Sequence, residues 1–250
     1  MELGAELIIC GRRREVLDAA AAELAAATGG KVSGIVCDVR DAASVEALLD
    51  DIWRAGPLDI LINNAAANFI ARTEKLSPRA VDAILGIVLH GTFYCTIGCG
   101  RRWIEANRGG VILSVATTPS FTGLAFTAPS AAAKAGVVAM TRSLAVEWGP
   151  KGIRLNAVAP GLFPTEGAWE RLYPPGSQTE PQERGVPLRR VGKHSELANL
   201  FAYLAAEESS YITGDLIVID GGRWMQGIGG PTWRSMQDWS DAQWDTVRKR

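Results

Sequence analysis

Short apolar runs alternate with longer stretches of helical spacing along the whole chain, and this alternation constrains the fold more than any single residue does. Runs at residues 6–10, 32–37, 58–63, 111–115, 153–158 and 215–219 have the length and apolar content of buried parallel strands. Between them lie helical patterns at about 15–28, 43–54, 77–105, 130–148 and 195–205. Gly29-Gly30 closes the first helix, and Ser77-Pro78 reads as an N-cap with proline at the first helical position. The 77–105 pattern is interrupted near Gly91, and residues 240–247 read as a short capped tail helix. Strand after helix after strand predicts an α/β fold, a parallel sheet covered by helices on both faces. There is no internal repeat or composition shift, so residues 1–250 read as a single domain.

Composition narrows the function. Apolar residues make up 47% of the chain, enough for one core, and 26 basic against 27 acidic residues give a net charge of −1. That balance favours neither nucleic acid nor a membrane surface as a partner. No apolar run reads as long enough to span a bilayer, and the N-terminus lacks a signal-peptide layout, so a cytoplasmic location is expected. Cys10, Cys37, Cys95 and Cys99 lack a disulfide-scaffold pattern, which suggests reduced thiols. Cys95, Cys99 and nearby His90 are read as core packing rather than a metal site, and no metal is expected.

In a parallel α/β sheet, ligands sit beyond the carboxyl ends of the strands. That edge collects Gly11-Arg12, Asp38, residues 64–69, the loop 114–129 and Pro160-Gly161. Arg12, just past a strand, suits a phosphate, whereas an acidic residue there would suit ribose hydroxyls; the choice tilts towards NADPH over NADH. Asp38 could accept from an adenine amine. Asn64-Ala65-Ala66 places small residues where a ribose must pass close to backbone. Ser130 and Lys134 are four apart and share a helix face, with Lys134 on the first turn of a small-residue helix. Its ammonium could hold ribose hydroxyls. Taken singly, Arg12 also fits a solvated helix start and Lys134 a snorkelling surface lysine.

The NNAA after a strand, the S-x-x-x-K helix, the PG after the next strand and the DGG end resemble the short-chain dehydrogenase/reductase family. That family has tyrosine where this chain has Ser130. A serine hydroxyl is a poor acid, which disfavours ordinary ketone reduction. A closer match comes from NNAAANF, LSP, GIVLHGTF, PSAAAKAG, PGLFPTEGAWERL, ELANL and QWDT. Together these resemble the NADPH-dependent 2,4-dienoyl-CoA reductases, from about Gly4 to the C-terminus.

The resemblance implies a Rossmann-like doubly wound sheet and reduction of a conjugated dienoyl thioester to an enoyl thioester in β-oxidation of unsaturated fatty acids. It implies Asn68 as donor to the thioester oxygen, Lys134 on the nicotinamide ribose and Ser130 as support. Arg12 and Asp38 would hold the adenosine end of NADPH, with Asn64 and Ala65 beside the cofactor. Pro160, Gly161, Leu162 and Phe163 would contact its nicotinamide side. Arg40, Phe69, Ser77 and Arg171 would contact the acyl-CoA. Family members usually assemble through the two long helices near 80–105 and 130–148, so a homo-oligomer, a tetramer by resemblance, is expected.

Two departures stand out. A tyrosine that binds the thioester oxygen in mitochondrial-type reductases corresponds to Pro119, and Thr117, Thr118 and Ser120 are the hydroxyls nearby. The family's first strand and its T-G-x-x-x-G-x-G phosphate loop are also lacking, about 30 residues in a complete strand–turn–helix unit. The expected strand order 3-2-1-4-5-6-7 then leaves the 6–10 strand without its inner neighbour. Two other readings accompany the first. One is reduction of a 3-oxoacyl or other ketone substrate; the other is a non-catalytic reductase-like subunit.

Overall fold

The computed structural model describes residues 3–165, 182–226 and 236–248. Six strands form, each near its expected place: β1 Leu7–Gly11, β2 Val32–Val36, β3 Ile60–Asn63, β4 Gly110–Val115, β5 Ile153–Pro160 and β6 Leu216–Ile219. All recorded pairings are parallel. β1 pairs with β2, and β3-β4-β5-β6 form a second ladder in that order. No ladder joins β1 to β3 among the described residues, so β1 has β2 as its only recorded strand neighbour.

The two ladders share a core. Cys37 after β2 and Val45, Leu48, Leu49 and Ile52 on α2 (Ala42–Ala55) pack in one cluster with Ile112 of β4 and Ile153 and Leu155 of β5. Trp103 on α4 (Gly91–Glu105) is fully buried there, and its indole N–H donates to the Leu58 carbonyl. Burial of an indole is favourable only when that N–H is satisfied. The remaining helix of this half is α1, Arg14–Thr28.

The sheet is covered on both faces, as the period-2 geometry of β5 makes plain. Ala157 and Ala159 pack with Val138 of α6 (Ala128–Trp148), while Val158 between them packs with Leu204 of α7 (His194–Ala205). The described molecule is therefore a doubly wound α/β structure.

Three local expectations are corrected. The helix carrying Lys134 starts at Ala128, because Pro129 at its beginning has a preset φ and no amide to lose. Lys134 therefore lies in the second turn. The interruption near Gly91 is a π-helical turn at Gly86–His90, joining α3 (Pro78–Leu85) to α4 without a break. The loop 114–129 contains a short helix, α5 (Pro119–Thr122).

The joined helix Pro78–Glu105 has 28 residues and is long and apolar enough to cross a membrane by length and composition, contrary to expectation. In the fold it is a packing helix. Cys95, Thr96, Cys99 and Trp103 are buried along it, and Arg102 pairs with Glu46 and Asp50 of α2.

Candidate functional site

The carboxyl ends of β4, β5 and β6, with the segment after β3, surround a cavity of about 890 Å³. That volume lies in the range of small-molecule sites. Its lining comes from Asn68 and Ile70, the loop 117–127 apart from Ser120, the segment 160–163 with Thr165, and Asp220, Arg223 and Trp224 after β6. The strand ends gather these residues because each βα turn of a parallel sheet emerges on the same edge.

Asn63, the last residue of β3, anchors the first wall. Its buried Nδ2 donates to Thr96 Oγ1 at 3.0 Å and Ser114 Oγ at 3.2 Å, tying β3 to α4 and β4. Five residues on, Asn68 lines the cavity. Its Oδ1 accepts the Phe69 amide at 2.9 Å. With the oxygen so used, the two amide N–H groups remain as donors. The Phe69 ring packs with Ile84, Val88 and Ala133, which fixes this segment on α3 and α6.

Lys134 is buried, 4% exposed, and its ammonium donates to the Val115 carbonyl at the end of β4. Desolvation lowers its pKa from 10.5 to about 8. An ammonium has three donors, and the carbonyl takes one. Ser130 is half-buried one helical turn earlier. Neither side chain lines the cavity itself; Lys134 sits behind the loop that does.

Pro160, Gly161, Leu162 and Phe163 form the next wall. A β-carbon on Gly161 would meet Cβ of Asp220 at 2.5 Å and its Cα at 2.6 Å. Glycine here lets β5 and β6 end side by side. Phe163 lies over Gly192 and beside the His194 ring, 6.5 Å between centroids.

The remaining expected residues lie elsewhere. Arg12 is exposed at the end of β1, and its charge acts on Asp38. Asp38 and Arg40 pair with each other, Arg40 Nη2 donating to Asp38 Oδ2 at 2.5 Å. That hydrogen bond, chiefly, holds the Asp38 carboxyl at about 2. The Ser77 hydroxyl accepts the Ala80 amide at 3.2 Å and so caps α3. Asn64 and Ala65 are exposed past β3. Arg171 lies outside the described residues. Cys95 and Cys99 belong to the core cluster.

Sequence reasoning missed Asp220 and Trp224. Asp220 Oδ1 accepts the Gly222 amide and Oδ2 the Trp224 amide, both at 2.8 Å. Gly221 and Gly222 have φ of +65° and +85°, which admits this turn and opens α8 (Arg223–Gln226). The DGG end was the available signal, but only the turn shows that it brings Trp224 to the cavity.

The donor set fits a nicotinamide dinucleotide. A buried ammonium with donors to spare suits a ribose diol, and Arg12 at the end of β1 offers an exposed guanidinium for phosphate.

Comparisons with known proteins agree. A family model described as enoyl-(acyl carrier protein) reductase matches residues 1–223. A probable 2,4-dienoyl-CoA reductase of Bacillus subtilis is 43% identical over 226 residues, 90% of this chain and 89% of that protein. A short-chain dehydrogenase from Bacillus anthracis superposes with a TM-score of 0.78 at 38% identity, over 89% of this chain and 88% of that one. A gluconate 5-dehydrogenase from Burkholderia cenocepacia, solved with NADP and tartrate, gives a TM-score of 0.82 at 28% identity, over 90% and 87%.

Proposed function

The chain belongs to the short-chain dehydrogenase/reductase family of oxidoreductases, and we propose that it catalyses NADPH-dependent reduction of a 2,4-dienoyl-CoA to an enoyl-CoA, a step of unsaturated fatty-acid breakdown. The observation that carries this reading is the pairing of Asn68 with the 160–163 segment in one cavity whose described lining contains no tyrosine. Carbonyl reduction needs an acid at the reacting oxygen. Reduction of a conjugated thioester needs donors at that oxygen instead, because the charge develops there.

When bound, NADPH supplies a hydride to the terminal carbon of the diene and leaves as NADP⁺. The electron pair moves through the diene onto the thioester oxygen. Asn68 Nδ2–H donates to that oxygen, its side chain already oriented by the Phe69 amide. A proton from solvent on the resulting dienolate completes the enoyl thioester. Lys134 holds the ribose diol and places positive charge behind the reacting centre. Ser130, a turn away, supports the same helix face without acting as the acid. Arg12 takes the 2′-phosphate, and Asp38 the adenine amine. Arg40, Phe69, Ser77 and Arg171 contact the CoA ester. The similarity to the Bacillus subtilis protein supports the same substrate class. Assembly through α4 and α6 is part of this proposal; Ile97 and Val146 on those helices are 45% and 83% exposed, and size-exclusion chromatography with light scattering tests it.

Loss of NADPH absorbance with a 2,4-dienoyl-CoA, and none with a 3-oxoacyl-CoA, is the expected result. Asn68→Ala should lower kcat/KM about a hundredfold, as loss of one oxyanion donor does. No turnover of any dienoyl-CoA, or equal turnover of the ketone, overturns the proposal.

A further inference from the structure

The cavity wall that this chemistry leaves unused carries an apolar band, flanked by Thr122, Thr127 and Arg223. Four of its lining residues are large hydrophobics with high exposure: Ile70 at 44%, Phe121 at 45%, Leu124 at 59% and Phe126 at 56%. Single exposed apolar residues need no explanation, but four around one cavity indicate a group that covers them. Phe126 has φ of +67°, a conformation in which a bulky residue is strained. Its carbonyl accepts the Ala71 amide at 3.0 Å, so the segment after β3 holds it in that conformation.

The fifth member closes the arrangement. The Phe121 ring of α5 meets the Trp224 ring of α8 edge to face, 5.1 Å between centroids and 89° between planes. α5 follows β4 and α8 follows β6, so this contact joins two walls of the cavity. The Asp220 carboxylate, through the Gly222 and Trp224 amides, sets the backbone that presents Trp224.

We infer that the acyl chain of the thioester lies along Ile70, Leu124 and Phe126, and that the Phe121–Trp224 pair ends its path and sets the longest chain accepted. The side chains of this band carry no hydrogen-bonding group apart from the Trp224 indole, so the matching ligand is a hydrocarbon chain with nothing polar to satisfy. The band is continuous with Asn68 and the 160–163 segment, where the thioester end belongs. The inference rests on the dienoyl-CoA reading for the reacting group; its test does not.

Calorimetric titration with saturated acyl-CoAs of increasing length reads the chain path without any reaction. In the wild type, affinity should rise about fourfold per added methylene and then stop at a limiting length. Trp224→Ala should move that limit to longer chains, and Phe121→Trp to shorter ones. Thermal melts confirm that the variants fold, and Trp224→Phe, which keeps an aromatic contact, should give a small extension. The same limiting length in all four proteins overturns the inference, as does an affinity independent of chain length in the wild type. A limit that moves while no dienoyl-CoA is reduced refutes the reaction and leaves the chain path standing. Reduction with an unmoved limit does the reverse.

Discussion

Lys134→Met tests the physical state of the buried lysine directly. The substitution keeps an unbranched apolar stem and removes the ammonium. In the folded chain desolvation lowers the lysine pKa from 10.5 to about 8, while the unfolded chain keeps the ordinary value. Between those two values the unfolded state binds one proton more than the folded state, so stability rises with pH there. The contribution is fully present above 10.5 and is lost as pH falls through about 8. A pKa lowered from 10.5 to about 8 corresponds to ~3 kcal/mol. Urea denaturation of wild type and variant, from about pH 7 to about pH 10, isolates the lysine term as the difference between the two curves. Wild-type stability relative to Lys134→Met should climb by ~1–3 kcal/mol across that range. A flat difference would refute the claim that the ammonium is desolvated. The same variant should fail to bind NADPH at neutral pH, because the apolar side chain cannot donate to the ribose.

Other outcomes follow from single contacts. Gly161→Ala drives a methyl group into the Asp220 backbone and should cost ~1–3 kcal/mol in urea denaturation, together with a loss of NADPH affinity. Ser77→Ala removes the α3 cap and should cost ~1 kcal/mol, with Ser77→Asp restoring it. Arg40→Ala removes the chief cause of the low Asp38 pKa. Its carboxyl should then titrate nearer the ordinary value of about 3.9 by NMR. In the wild type this group's stabilisation is present above its unfolded pKa and is lost as pH falls through about 2.

The strands and helices were legible because their signals are local. Six apolar runs became six strands, and Ser77-Pro78 capped α3 as its residue types dictate. The boundaries that moved did so for tertiary or turn-level reasons. Pro129 began α6 earlier than the small-residue pattern suggested, and the Gly86–His90 turn widened the helix instead of breaking it, with Thr92 Oγ1 bonding back to the Val88 carbonyl. The membrane-length helix was overlooked because the π turn joins two shorter patterns into one.

The sequence by itself determined the alternating α/β order and the edge on which ligands gather. Through its resemblance it also marked Asn68, Lys134 and Pro160–Phe163 as candidates. The order and the edge follow from periodicity, and the candidates from the likeness of short motifs to those of a known family. Only the tertiary structure decided which candidates share a cavity. It placed Asn68 and the 160–163 segment on the cavity wall, Lys134 behind it, and the paired Asp38 and Arg40 away from it. It also brought Phe121 to Trp224 across more than a hundred residues. Contacts between distant strand ends depend on sheet order and on the close packing of Gly161 against Asp220, and neither leaves a periodic trace in the chain.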